Sequence, residues 1–146
     1  MTAPAPPTPA PTAVHHWPKD PASVSAARRH LRGVLDRWSL ENLAEAAELV
    51  VSELVTNAVQ HARSSDRLME VRYQPTPEGG LNIEVHDADD QAPAMRGATA
   101  KDESGRGLRI VDALTNGRWG VLPREPREGL GAVGKLIWAH IGPDPS

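Results

Sequence analysis

The segment SELVTNAVQH (52–61) places Glu53, Asn57 and His61 four residues apart in what reads as a helix. Residues at i and i+4 lie one above the other, so the three form a single polar stripe. In such a stripe a carboxylate can accept a proton, and a carboxamide oxygen can ligate a hard cation. Alone, the same stripe reads as two surface residues and a rim histidine.

Two further places carry chemistry. Asp87 ends the apolar run LNIEVHD (81–87), where a long polar stretch begins. A carboxylate there can accept from an exocyclic amino group such as that of adenine, or it can cap a turn. In SGRGLRIV (104–111), Gly105 and Gly107 flank Arg106 at a predicted helix start. Glycines let the backbone approach a ligand closely, and a helix N-terminus offers unpaired N–H groups and positive dipole to a phosphate. This is not a P-loop: no Lys-Ser/Thr pair follows, and no strand directly precedes it. Singly each signal is weak. In this order they form a set suited to ATP, with Asp87 reading adenine, Asn57 holding Mg2+, the glycine turn holding phosphates and Glu53 accepting a proton.

The elements that must hold these residues follow from periodicity. Ser23 reads as the cap of a helix running to Trp38. Val24, Ala27, Leu31, Val34, Leu35 and Trp38 fall at helical spacing, leaving Arg28, Arg29, Arg32 and Arg37 on solvated faces. Residues 41–63 read as a second helix with two apolar rows: Leu43, Ala47, Val50, Leu54 and Ala58, then Val51, Val55, Val59 and Ala62. So wide a face marks a central packing element. MEVRYQP (69–75) and LNIEVHD (81–87) alternate as strands do, and Thr76–Gly80 reads as the turn of their hairpin. Residues 88–104 lose periodicity and read as a long functional loop. LRIVDALT (108–115) reads as a short helix, and RWGVL (118–122) and GAVGKLIWAHI (131–141) as final strands. This order predicts a two-layer α/β sandwich, a mixed but mostly antiparallel sheet covered by helices on one face.

A chain of 146 residues closes around one core, here expected over residues 17–142, with a Pro/Ala/Thr-rich tail at 1–16 and a short C-terminal tail at 143–146. The run MTAPAPPTPAPTA favours extended, solvated backbone and lacks the charged and apolar regions of a signal peptide. No stretch approaches the ~18 consecutive apolar residues of a membrane span. The absence of cysteine excludes disulfides and thiolate metal sites, which fits a cytoplasmic protein. A net charge of −3, no Phe and a single tyrosine, Tyr73, argue against nucleic-acid binding. Trp17, Trp38, Trp119 and Trp138 read as core or core-rim residues.

Taken together, SELVTNAVQHA, the Asp87 strand and SGRGLRIVDALTNGRWG resemble the N, G1 and G2 boxes of the GHKL (histidine kinase-like) ATP-binding superfamily. The chain is more closely similar to the small bacterial anti-sigma factor serine/threonine kinases, and GKLIWAHI resembles their last strand. The resemblance covers roughly residues 20–141. It implies that Glu53 is the catalytic base, that Asn57 ligates Mg2+ and that Asp87 binds the adenine amino group. It also implies that Gly105, Arg106, Gly107 and Leu108 form the phosphate-binding turn, with Arg106 reaching the terminal phosphate and His61 supporting the edge of the site. The function implied is an ATP- and Mg2+-dependent kinase that phosphorylates an anti-sigma antagonist protein and binds a sigma factor; small members are often homodimers. The alternative is a non-catalytic module whose ATP- or ADP-dependent loop order, with 88–104 as lid, controls partner binding. Two departures stand out. DADDQAP (87–93) lacks the glycines often found after the aspartate. Leu136 stands after the Gly-Lys pair where Thr is frequent, so a hydroxyl assisting Asp87 through water is expected to be lost.

Overall fold

The computed structural model describes residues 11–60, 68–87, 103–123 and 134–143, with backbone alone for 103–107. β1 (Ala13–Pro18) leads into α1 (Ala22–Arg37), a 3-10 turn (Glu41–Leu43) and α2 (Ala44–Gln60). The hairpin β2 (Leu68–Pro75) and β3 (Leu81–Asp87) comes next, then α3 (Glu103–Thr115), β4 (Trp119–Pro123) and β5 (Lys135–Ile141). The strands lie in the order β1-β2-β3-β5-β4, and every neighbouring pair is antiparallel. No parallel pair occurs among the described strands, so the sheet is more uniform than the mixed one expected. The two-layer sandwich itself is as the sequence predicts.

α2 is the central helix: it packs against α1 on one side and α3 on the other, and lies over β3 and β5. Its buried row of Ala47, Val50, Val51, Leu54, Val55 and Ala58 meets Leu31, Val34 and Leu35 of α1 in one core. From the sheet, alternate residues Met69, Val71 and Tyr73 of β2 and Leu81, Ile83 and Val85 of β3 close that core from below. The arginines of α1 are exposed, as expected. Among the described residues no helix is long and apolar enough to cross a membrane.

Three details correct the sequence reading. First, Ala13–His16 do not belong to a tail: they pair with β2, Ala13 opposite Tyr73 and His16 opposite Glu70. An edge strand with His15 between Ala13 and Trp17 on its inner side shows no apolar alternation, which hides it. It is held by rings instead. His15 lies 4.0 Å from Trp17 and 4.9 Å from His30 of α1, and His30 lies 5.9 Å from Tyr73. Second, Ser23 does not cap α1. Its hydroxyl donates to the Pro18 carbonyl at 2.7 Å, while the Asp20 carboxylate accepts from the Ala22 amide at 2.8 Å. Third, Trp138 is not in the core. It sits on the outer face of β5 across Gly120, where a Cβ would come within 2.9 Å of the indole nitrogen. The other three tryptophans pack at the core rim.

The outer face of the sheet is polar. The Glu70 carboxylate accepts from Arg72 Nε at 2.5 Å and meets His16 Nε2 at 3.1 Å; His86 Nε2 meets Glu84 at 2.7 Å. The hydrogen bond from His86 is the main reason the Glu84 carboxyl is held below its ordinary pKa.

Candidate functional site

Asn57 lies in the last third of α2, on the side of the helix that carries Val50 and Leu54. It is 4% exposed, and its carboxamide makes no hydrogen bond to any described residue. Asparagine is a poor residue for a helix interior. Glu53, one turn earlier, is half-buried and keeps access to solvent. The stripe therefore grades from a recessed carboxamide to a reachable carboxylate. His61 lies outside the described residues.

Asp87 is the last residue of β3 and only 2% exposed. It continues the inward series Leu81, Ile83 and Val85, so its carboxylate faces the helix–sheet interface over which α2 lies. The turn-cap alternative does not fit this burial. Instead Asp87 is ion-paired with the ammonium of Lys19, which is itself buried. Lys19 sits between β1 and α1, in a turn fixed by hydrogen bonds from the Asp20 amide to Pro18 O and from the Ser23 amide to Asp20 O. Across the sheet, Asp87 stands opposite Lys135, also buried, whereas Leu136 stands opposite His86 on the outer face. The expected effect of Leu136 on Asp87 is thus corrected: the residue beside Asp87 is Lys135, and Leu136 points away from it.

The glycine segment also differs from expectation. α3 begins at Glu103, so Gly105 and Gly107 lie in its first turns instead of preceding it. The backbone N–H groups left open by helix geometry are then those of residues 103–106. The side chain of Arg106 and residues 88–102 of the expected lid (88–104) lie outside the description. Leu108 is buried at 8% exposure but is not part of the main core cluster. A shallow pocket of about 80 Å3 lined by Thr12, Arg72, Tyr73, Gln74, Asn82 and Glu84 includes none of these residues.

Lys19 is a site residue that the sequence does not point to. A lone lysine in Pro18-Lys19-Asp20 has no periodic signal, and nothing short of the fold brings it to a residue 68 positions away.

A helical carboxylate and carboxamide thus lie over a sheet in which β3 ends in a buried aspartate. The profile of the histidine kinase-like ATPase domain matches residues 17–117, and the chain belongs to that family. Among solved structures, a chain of the SiaB–SiaC complex from Pseudomonas aeruginosa shares the fold at a TM-score of 0.62. The two are 12% identical, and the match covers 88% of each chain. No curated protein matches the sequence. An ATPase domain implies ATP and usually Mg2+, and the described residues fit both. Asn57 would offer a carboxamide oxygen to a cation, and Asp87 a buried carboxylate to a base.

Proposed function

We propose that the protein is an ATP- and Mg2+-dependent serine/threonine protein kinase of the anti-sigma factor type, which phosphorylates an anti-sigma antagonist protein and binds a sigma factor. The observation that carries the reading is Asn57, a carboxamide buried in a helix interior with no described hydrogen-bond partner, one turn from a reachable carboxylate. Phosphoryl transfer asks a protein mainly for positioning and charge stabilisation. Asn57 would hold Mg2+, which when bound neutralises phosphate charge. Asp87 would accept from the adenine amino group, and the start of α3, Gly105 to Leu108, would receive phosphates. Glu53 would take the proton of the attacking hydroxyl. Its partial exposure suits a nucleophile delivered on another protein. That the similar fold was solved in a complex of two proteins supports a function exercised on a partner.

The test is transfer of label from radiolabelled ATP to candidate antagonists obtained by co-purification. Glu53→Ala should lower transfer by at least about a hundredfold, the size of a general-base contribution, while ATP affinity stays within roughly threefold. Full transfer by Glu53→Ala would refute the base assignment. A wild type that binds ATP and transfers nothing would replace the kinase by a non-catalytic, nucleotide-dependent binding module.

A further inference from the structure

We infer that Lys19 reads the base alongside Asp87, its ammonium donating to the N1 acceptor of adenine while the carboxylate accepts from the N6 amino group. The inference rests on the proposed nucleotide site and adds a specificity-determining residue to it.

Lysine is almost never fully buried, because taking an ammonium out of water is expensive. Here the Lys19 side chain is 1% exposed and that of its partner Asp87 is 2% exposed. An ammonium carries three N–H donors. Among the described residues Lys19 has a single acceptor, Asp87 Oδ1. It is also not placed by chance. The Pro18–Ser23 turn is locked by two backbone hydrogen bonds and by the Ser23 hydroxyl on Pro18, which fixes the stem of Lys19 at the end of β3.

A carboxylate with an ammonium beside it presents an acceptor next to a donor. The Watson–Crick edge of adenine presents the complement, a donor at N6 next to an acceptor at N1. A pair whose only role is to neutralise Asp87 would leave the other ammonium protons without a described acceptor. Guanine offers the two groups in reversed order, an acceptor at O6 and a donor at N1, so the same pair gives the site a means of discrimination. Lys135 also stands beside Asp87 and is buried, so the test must isolate Lys19.

The experiment is calorimetry of the full chain with Mg2+ and ATP, 1-deaza-ATP (C–H in place of N1) or GTP, for wild type and Lys19→Met. Wild type should bind ATP on the order of tenfold more tightly than 1-deaza-ATP, the contribution of one hydrogen bond to a charged group. Lys19→Met should bind ATP more weakly and bring the ratio of the two nucleotides close to one. A merely structural lysine would lower both affinities together and leave the ratio unchanged, which would overturn the inference while the nucleotide site stands. GTP binding more tightly than ATP would overturn it as well. If wild type binds no purine nucleotide, the inference and the function proposed above fall together. Should Lys19→Met not fold, wild type decides through 15N spectra of its three lysines at positions 19, 101 and 135. The Lys19 ammonium signal should shift with ATP and stay unmoved with 1-deaza-ATP; equal shifts would refute N1 recognition.

Discussion

A polar side chain on the buried side of a helix sets function against packing at one position. Asn57 makes no hydrogen bond to a described residue, so little of the fold depends on its carboxamide. Asn57→Ala should therefore leave the melting temperature unchanged or raise it by a few degrees, while Mg-ATP affinity falls by roughly tenfold or more. Thermal melting and calorimetry on the same preparation check both halves, and a variant that melts much lower would show that Asn57 is structural. Glu53, Asn57 and Asp87 were legible in the sequence because each sits at a regular position, two on helical spacing and one at the end of an alternating strand. Lys19 was not, since a turn has no period and its partner lies far along the chain.

The same contrast separates the elements. α2 announced itself through two apolar rows, and the β2–β3 hairpin through alternation and Thr76–Gly80, where the Thr76 hydroxyl accepts from the Gly80 amide at 2.9 Å. β1 did not, because its inner side is built from rings that include a histidine. For α3 the apolar spacing points to a start five residues later than the observed Glu103, since Ser104, Gly105 and Gly107 have poor helix propensity. The central place of α2 also fixes what its truncation costs. Leu54 is completely buried, and Leu54→Ala should destabilise the fold by about 2–5 kcal/mol in urea unfolding. A loss below about 1 kcal/mol would mean that α1 and α3 collapse onto the gap, and that α2 is not the rigid centre described here.

Stability of the whole domain should depend on pH through the ring cluster that joins its two layers. The pKa of His30 is lowered from 6.5, first by burial and then by the charges of His15 and Arg37; the rings of Trp17 and Tyr73 also face it. Below pH 6.5 the unfolded chain binds the proton more readily than the native one, so stability falls as pH drops from there toward the lower native value. The melting temperature should thus decrease as pH falls below 6.5, and His30→Gln should flatten that decrease. A variant with the same slope as wild type would assign the effect elsewhere. Glu84 does not confuse this window. Its pKa is depressed from 4.5, so its stabilisation is intact above that value and is lost only as pH falls further, through the native pKa.

The strand nearest the C-terminus does not lie at the border of the sheet. β5 is inserted between β3 and β4, so a ribosome has released almost the whole domain before the strand that joins β4 to the rest of the sheet exists. Until Lys135–Ile141 emerges, β3 has one side without backbone partners, and the nascent chain must keep that side from pairing with a neighbour. A translation product that stops before Lys135 would not be a slightly shortened protein. It would be one missing its keystone.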